Sequence, residues 1–263
     1  MKTERSIKMT PFAFLPPAGT RIAIVGGCGG MGQALVRAAL DAGLRVAVLD
    51  LPRSLDQSPP PAGVLALSCD VSNEASITTA FASLEQAWQG LETLVNLAGY
   101  TGEQIGVRDL SAIEWDAIND CCLRGCFLVA HHALPLLGRG TNPSIVLISS
   151  TFGHRVVHPG YAAYAAAKAG VVSLAKALAT ECAPAIRVNV VSPGVFRTAF
   201  LDGGTGRPAR QTGIDMEKYP QIVPLKRLGE PQEMVGPILF LAGPAASYIT
   251  GQVLHVNGGI WAP

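Results

Sequence analysis

A tyrosine and a lysine four residues apart, Tyr164 and Lys168, form the pair of side chains in this sequence best suited to proton transfer. The segment around them, YAAYAAAKAGVVSLAKALA, has a helical pattern, and residues four apart share one face of a helix. A free phenol has a pKa of about 10, too high for a base near neutral pH. A nearby ammonium favours the phenolate and lowers that pKa. We therefore predict that Tyr164, rather than Tyr161, exchanges a proton with an alcohol or ketone.

Two serines stand just upstream, at the end of the apolar segment SIVLISS. Ser149 and Ser150 follow a predicted strand, and the carboxyl ends of strands in an open parallel sheet are where such folds bind ligands. A serine at a strand end is often only a cap. These serines become candidates for the site because Tyr164 and Lys168 follow them. The hydroxyl could hold the substrate oxygen in place for Tyr164.

A glycine-rich loop follows the first predicted strand and reads VGGCGGMG over residues 25–32. Glycines let backbone N–H groups approach a pyrophosphate closely, and the N-terminus of the next helix adds partial positive charge. Gly26, Gly30 and Gly32 have the spacing GxxxGxG rather than GxGxxG. A tight strand-to-helix turn would also use such glycines, but their place after the first strand favours a dinucleotide site.

Asp50 ends the second predicted strand, RVAVLD. A carboxylate at that strand end accepts hydrogen bonds from both hydroxyls of an adenosine ribose and repels a 2'-phosphate. Arg53 lies nearby and would favour a phosphate, but the glycine loop contains no Arg or Lys. The alternative is an ordinary turn residue. The sequence thus predicts NAD, not NADP, as the cofactor.

Short apolar segments alternate with longer helical patterns along the chain, which predicts a parallel sheet covered by helices on both faces. We predict one α/β domain over residues 20–263, a Rossmann-like doubly wound sheet, preceded by a flexible leader at 1–19. Ser111 and Glu114 have the spacing of a capping box that begins a long helix. Residues from about 197 to 224 lack periodicity and form either a lid over the site or a disordered surface loop.

Composition excludes several classes of protein. Hydrophobic residues make up 49% and charged residues 15% of 263 residues, which excludes intrinsic disorder. The net charge of +1 provides no field to recruit nucleic acid or an anionic membrane, and no apolar run reaches the roughly 20 residues of a bilayer span unbroken. The six cysteines lack the spacing of disulfides or of metal ligands, which predicts reduced thiols and no metal site. Reduced thiols favour a cytoplasmic protein. We also expect its partner to be a small molecule.

Taken in order, the motifs resemble those of the short-chain dehydrogenase/reductase family over residues 21–263. The matching segments are the glycine loop, CDV at 69–71, NLAG at 96–99, the serine-bearing strand, Tyr164 to Lys168, VSPGVFRT at 191–198, and the tail from YITGQ at 248–252 to NGG at 257–259. The resemblance implies hydride transfer between NAD(H) and a secondary alcohol or ketone, with Tyr164 as general acid/base. Lys168 would lower the pKa of Tyr164 and hold the nicotinamide ribose. It also implies a homotetramer.

The resemblance extends the set of candidate cofactor contacts. Asp70 and Val71 would flank the adenine, and the segment from Pro193 to Thr198 would close over the nicotinamide. The complete predicted set is Gly26, Gly30, Met31, Gly32, Asp50, Asp70, Val71, Asn96, Ala98, Gly99, Tyr164, Lys168, Pro193, Gly194, Val195 and Thr198.

The chain also departs from the family pattern. Val25 replaces a threonine and Leu97 an asparagine, which removes two side-chain hydrogen bonds. Cys122 stands where the family has an asparagine that holds a water next to the active-site lysine, and a thiol is a poor substitute. Proton relay could then be slower, or rerouted through Asn119.

The catalytic hydroxyl has two candidates. Ser150 precedes Tyr164 by 14 residues, one more than is common in the family, while Thr151 has the usual separation. We predict Ser150, because Gly153 follows it by three residues as the family motif requires. Thr151 remains the alternative.

The substrate is not named by the sequence. His154, His158, Arg197, Arg207 and Arg210 lie in or beside the predicted substrate loops and could bind a carboxylate or phosphate, or could be incidental residues of a solvated lid. A 3-oxoacyl-acyl-carrier-protein reductase is the alternative within the class, although Asp50 opposes the NADPH usual there. Outside the class, the alternative is a nucleotide-binding family member without turnover.

Overall fold

In residues 13–209 and 213–263, which the computed structural model describes, seven strands pair in parallel into one sheet. The strands are β1 (Arg21–Val25), β2 (Arg45–Asp50), β3 (Leu65–Ser68), β4 (Thr93–Asn96), β5 (Ser144–Ile148), β6 (Arg187–Pro193) and β7 (Val253–Val256). Their order across the sheet is β3-β2-β1-β4-β5-β6-β7. Because the chain reverses its direction of winding between β1 and β4, the loops after these two strands diverge and open a cleft at the carboxyl edge.

Helices join successive strands. They are α1 (Gly30–Asp41), α2 (Pro52–Gln57), α3 (Glu74–Trp88), α4 (Ala112–Asn119), α5 (Gly125–Leu137), α6 (Ala162–Glu181), α7 (Tyr219–Ile222) and α8 (Val235–Ala242). Side chains of α3, α5 and α6 pack in one apolar core, and those of α1 and α8 pack in a second on the opposite face of the sheet. Every residue of β4 and β5 is buried, as expected for strands covered on both sides. The predicted doubly wound α/β fold is confirmed.

The long helix predicted from Ser111 is interrupted. Ser111 caps α4 by accepting a hydrogen bond from the backbone N–H of Glu114 at 3.1 Å. Between α4 and α5 lies a π-helical turn, Asp120–Arg124. Such turns are rare and occur mostly at functional sites, and this one carries Cys121 and Cys122 into the interior.

Helix α6 is long and apolar enough to cross a membrane by length and composition. It instead packs against β6, and its residues Tyr164 and Lys168 are buried. This burial identifies it as a core helix of the α/β fold.

The two irregular segments predicted from the sequence are described in part. Residues 1–12 of the predicted leader lie outside the described residues, while Gly19 donates a backbone hydrogen bond to Gly43. Within the predicted lid, the structure describes a 3₁₀ turn, Ala199–Asp202, and the short helix α7, with residues 210–212 outside the described part. The flexibility of the leader and the role of the lid stay predictions.

Candidate active site

One continuous cleft at the carboxyl edge of the sheet contains nearly all of the side chains singled out from the sequence. The predicted residues that line it are Gly26, Gly30, Met31, Gly32, Asp50, Asp70, Val71, Ala98, Gly99, Ser150, Tyr164, Lys168, Pro193, Gly194, Val195 and Thr198. Asn96 does not line the cleft. It is buried at the end of β4, where its Oδ1 accepts a hydrogen bond from the N–H of Ala98 and supports the loop.

The glycine loop forms a cradle of backbone. Gly26 has a φ of +80°, and a Cβ there would lie 2.8 Å from the backbone nitrogen of Ala98. A Cβ on Gly32 would overlap the carbonyl oxygen of Gly26 and lie 2.6 Å from the Cα of Gly27. No side chain caps the N-terminus of α1, so its first N–H groups are available. Backbone donors at a helix N-terminus fit a pyrophosphate, and these residues therefore suit a dinucleotide.

The carboxylate of Asp50 is fixed beside this loop. Its Oδ2 accepts a hydrogen bond from the N–H of Cys28 and its Oδ1 from the N–H of Leu51, each at 2.8 Å. Burial, and then the charge of Asp50, raises the pKa of the Cys28 thiol to about 12. Burial, Asp70 and Asp50 together raise the pKa of Cys69 to about 12 as well. This end of the cleft thus has a negative potential, and Arg53 is exposed and does not line it.

Tyr164 and Lys168 lie side by side in the interior. The Nζ of Lys168 donates to the carbonyl oxygen of Ile148 at 2.9 Å and lies 5.7 Å from the centroid of the Tyr164 ring. Burial raises the pKa of the Tyr164 phenol, while Lys168 lowers it. Lys168 thus acts on this pKa in the predicted direction, and burial has the larger, opposite effect in the protein without a bound nicotinamide. Burial lowers the pKa of Lys168, but Tyr164 and Cys122 raise it, and the net effect is a raised pKa. The ammonium therefore stays protonated.

The three hydroxyls near Tyr164 have different partners. Ser149 Oγ donates to the backbone carbonyl of Lys168 at 2.8 Å, and Thr151 Oγ1 donates to that of Pro193 at 3.1 Å. Thr151 is buried, whereas Ser150 is half-buried and its Oγ accepts a hydrogen bond from the N–H of Phe152 at 3.2 Å. The geometry favours Ser150 over Thr151 as the group that meets a substrate oxygen.

Cys122 lies behind the lysine rather than in the cleft. Its Sγ donates to the carbonyl oxygen of Tyr100 at 3.3 Å. A Cβ on Gly99 would lie 3.3 Å from the Nζ of Lys168 and 3.5 Å from this sulfur. A hydrogen bond from Cys121, helped by the Lys168 ammonium, lowers the pKa of Cys122.

The alternative relay through Asn119 has no geometric support. Asn119 Nδ2 donates at 2.9 Å to the carbonyl oxygen of Trp115 on the same helix, and Asn119 does not line the cleft. Cys122, unlike Asn119, therefore lies close to Lys168.

Several groups in the cleft were not found from the sequence. Phe152, Phe200 and Tyr219 line it, as does Tyr161, which had been set aside because it has no lysine partner. Phe152 follows the serine-bearing strand directly and could have been found from that position. Phe200 and Tyr219 lie in the aperiodic segment, where no sequence pattern indicated them.

The predicted anion-binding residues do not gather at one point. Arg197 forms an exposed ion pair with Glu230 at 3.1 Å. His154 stacks on Trp261, and His158 packs near Phe152 and Tyr219 without lining the cleft. Arg210 lies outside the described residues. Arg207 alone of this group lines the cleft, with its guanidinium 4.1 Å above the ring of Tyr100.

Comparisons with known proteins agree with this geometry. A family model described as enoyl-(acyl carrier protein) reductase matches residues 26–261. An uncharacterized oxidoreductase of Schizosaccharomyces pombe is 35% identical over 247 residues, or 93% of this chain and 92% of that protein. The 3-oxoacyl-acyl-carrier-protein reductase of Aquifex aeolicus is 36% identical over 190 residues, or 72% of this chain and 73% of that protein.

A solved structure is similar over nearly the whole chain. The crystal structure of 3-ketoacyl-(acyl-carrier-protein) reductase from Brucella melitensis, complexed with NADH, superposes with a TM-score of 0.82 at 28% identity, covering 92% of this chain and 98% of that one. The fold, the cleft and these matches define a nicotinamide-dependent class of oxidoreductase. The chain belongs to the short-chain dehydrogenase/reductase family.

The cradle can be tested with two glycines of the same loop. Gly32→Ala places a methyl group against rigid backbone, which we expect to cost about 1 to 3 kcal/mol and to abolish binding of NADH. Gly29→Ala is the matched control, because its Cβ would meet nothing closer than the Gly26 oxygen at 3.5 Å. Thermal unfolding and a fluorescence titration with NADH measure both effects. Equal stability and equal NADH affinity in the two variants would contradict the close backbone contact at Gly32.

The choice of hydroxyl can be tested by removing each one. We expect Ser150→Ala to lower kcat at least roughly a hundredfold, within the range for loss of one positioned hydrogen-bond donor, with little change in stability. Thr151→Ala should act mainly on stability, by about 1 kcal/mol, because it removes only the bond to Pro193. Steady-state kinetics and thermal unfolding separate the two. A larger loss of kcat in Thr151→Ala would reverse the assignment.

Proposed function

We propose that this protein transfers hydride between NAD(H) and a secondary alcohol or the corresponding ketone. The observation that carries the proposal is the meeting of Ser150, Tyr164 and Lys168 at one end of a cleft whose other end is a backbone cradle beside Asp50. The cradle suits a dinucleotide, and the phenol and serine hydroxyl suit a substrate oxygen. Membership of the family supports the same chemistry.

Each side chain has a distinct task in the proposed reaction. The bound nicotinamide would supply or accept the hydride. Ser150 hydrogen-bonds the substrate oxygen and directs it toward the phenol of Tyr164. In ketone reduction Tyr164 donates its proton to that oxygen, and in alcohol oxidation the phenolate takes a proton from the hydroxyl. Lys168 keeps a positive charge beside the phenol, which favours the phenolate.

We propose NAD rather than NADP on electrostatic grounds. Asp50 stands at the strand end where the adenosine ribose would lie, and its charge is reinforced by Asp70 in raising the pKa of Cys69. A 2'-phosphate would enter this negative region, where Arg53 does not line the cleft and the cleft-lining Arg207 lies over Tyr100 instead. The ribose hydroxyls, in contrast, are donors to a carboxylate.

We also propose that the predicted segment at about 197–224 is a lid. Ser54 Oγ donates to the carbonyl oxygen of Thr205 at 3.0 Å, and the N–H of Gly206 donates to Gln57 Oε1 at 3.1 Å. These bonds join the segment to α2, beyond Asp50. The segment thus crosses the cleft, which supports a cover over a bound cofactor.

The predicted homotetramer and cytoplasmic location stay proposals. Ile113, Trp115 and Phe127 project exposed apolar surface from α4 and α5, and the edge strand β7 is half-exposed along its length. Apolar surface of this kind is typical of a contact between subunits.

A second candidate is a 3-oxoacyl-acyl-carrier-protein reductase. Relatives carry that name, and one solved neighbour of this kind is complexed with NADH. Asp50 counts against the NADPH usual for that activity but not against NADH itself. A family member without turnover is the third candidate, and it draws support from Cys122 in place of the expected asparagine.

The cofactor preference can be measured without a known substrate. We expect NADH to bind at least roughly tenfold more tightly than NADPH in a titration followed by protein fluorescence. Asp50→Ala should weaken NADH binding by about 1.5 to 3 kcal/mol, the usual value of a hydrogen bond to a charged group. It should also reduce the preference for NADH over NADPH. Arg53→Ala is the control and should leave NADH affinity unchanged. Unaltered NADH affinity in Asp50→Ala would refute the role of this carboxylate, and binding of neither nucleotide would favour the third candidate.

The state of Tyr164 can be read from an ultraviolet pH titration of tyrosinate, taken as wild type minus Tyr164→Phe. Because burial raises this pKa, we expect the phenol to ionise above pH 10, the usual value. Lys168→Met removes the cation that favours the phenolate and should move the transition to still higher pH. Addition of NAD⁺ brings positive charge and should move it lower. Ionisation of Tyr164 at the same pH in the wild type, in Lys168→Met and in the wild type with NAD⁺ would contradict the proposed effect of these charges on the phenol.

A further inference from the structure

The part of the cleft next to Tyr164 is walled by aromatic rings. Phe152 lies at its centre, with its ring centroid 5.2 Å from that of Tyr161 and 6.5 Å from that of Tyr164. The ring of Phe200 is 6.3 Å from that of Tyr164. Tyr219 is buried and lines the same cleft from the lid side. We call Phe152, Tyr161, Phe200 and Tyr219 the aromatic compartment.

Polar side chains that border this compartment already have partners within the protein. Gln104 Nε2 donates to the carbonyl oxygen of Pro159 at 2.9 Å, and Thr101 Oγ1 donates to that of Gly102 at 3.0 Å. The Thr101 hydroxyl has thus used its one donor, and the Gln104 amide has used one of its two N–H groups.

The charged side chains of the cleft lie elsewhere. Among the described residues that line it, Asp50, Asp70, Lys168 and Arg207 carry formal charge. The two aspartates belong to the ends of β2 and β3, across the sheet from α6. Lys168 is bonded to Ile148, and Arg207 lies over Tyr100 with its Nη2 3.7 Å from the sulfur of Cys121. Neither cation is thus shown against the four rings of the compartment.

Apolar side chains continue on the loops that form the compartment. The loop that contains Gln104 is joined to the loop before α6 by a backbone bond from Ile105 to Gly160 at 3.0 Å. Val107 and Val156 on these loops, and Met216 on the lid, are all exposed. The aromatic walls of the compartment favour an uncharged ligand, because burial of a charge without a partner is costly.

We propose that the substrate is an uncharged ketone or secondary alcohol that carries an aromatic or alicyclic ring beside the reacting carbon. The proposal rests on the hydride transfer proposed above and names its substrate class. The ring packs against Phe152 and Phe200 in offset or edge-to-face contacts, while the oxygen lies at Ser150 and Tyr164. In reduction the carbonyl carbon accepts hydride from NADH and the oxygen accepts the proton of Tyr164, which gives the alcohol and NAD⁺.

Three ketones of different chemistry test this class. Acetophenone is neutral and carries a ring, 4-acetylbenzoate adds a carboxylate to the same frame, and the N-acetylcysteamine thioester of acetoacetate represents an acyl thioester without a ring. Each is assayed for NADH oxidation, and its binding is measured by saturation-transfer NMR with and without NADH. We expect acetophenone to exceed both others at least roughly tenfold in kcat/KM, a difference of about 1.4 kcal/mol. A preference for either of the others would overturn the proposal, and preference for the thioester would support the second candidate function.

The contribution of the ring contacts is tested by Phe152→Leu, which keeps an apolar side chain but removes the ring. We expect KM for acetophenone to rise at least roughly fivefold with a smaller change in kcat, and NADH affinity to stay unchanged. Phe14→Leu is the control, because this exposed ring lies outside the cleft lining. Equal KM values in wild type and Phe152→Leu would contradict the contact.

The NMR binding measurement distinguishes failure of this inference from failure of the proposed function. Binding of acetophenone, but not of 4-acetylbenzoate, in a protein that neither binds nor oxidises NADH would support the compartment and refute the hydride transfer. Binding of NADH without binding of acetophenone would leave the cofactor proposal intact and overturn the substrate class.

Discussion

The hydrogen bond from the Lys168 ammonium to the carbonyl oxygen of Ile148 joins α6 to the end of β5 inside the protein. An ammonium that is only 4% exposed is costly unless partners surround it. Ser149 adds a second link by donating to the backbone of Lys168, and Gly99 leaves room for the Nζ. Since Tyr164 lies one turn earlier on the same helix, these contacts also fix the phenol at the mouth of the cleft.

The cleft is electrostatically divided along its length. At the β2 and β3 end lie the carboxylates of Asp50 and Asp70, whose charges add to burial in raising the pKa values of the Cys28 and Cys69 thiols. At the β5 and β6 end, the buried ammonium of Lys168 lies beside the ring of Tyr164. The division follows from the strand order, because β1 and β4 separate the two ends. A ligand that spans the cleft therefore meets a carboxylate at one end and a phenol at the other.

A close packing contact adjoins the π-helical turn that divides the predicted long helix. A Cβ on Gly125 would lie 2.5 Å from the carbonyl oxygen of Val71, so the glycine lets α5 approach the loop after β3 closely. The extra residue of the turn brings Cys122 to Tyr100 and Lys168, while Asn119 bonds to its own helix. The sequence alone left both side chains open as relay groups. Their orientation depends on a break in helical periodicity that no residue pattern announced.

The sequence by itself determined the parallel α/β fold, the glycine cradle, the Asp50 position, and the Tyr164–Lys168 pair, because each is encoded by local spacing or by strand periodicity. Only the tertiary structure distinguishes the surroundings of the two candidate hydroxyls, since Thr151 donates to Pro193 on a neighbouring strand. It also decided the net direction of the Tyr164 pKa, because burial depends on residues distant in the chain. The aromatic compartment was likewise set by folding, as Phe200 and Tyr219 lie in an aperiodic segment and reach the site only through long-range packing.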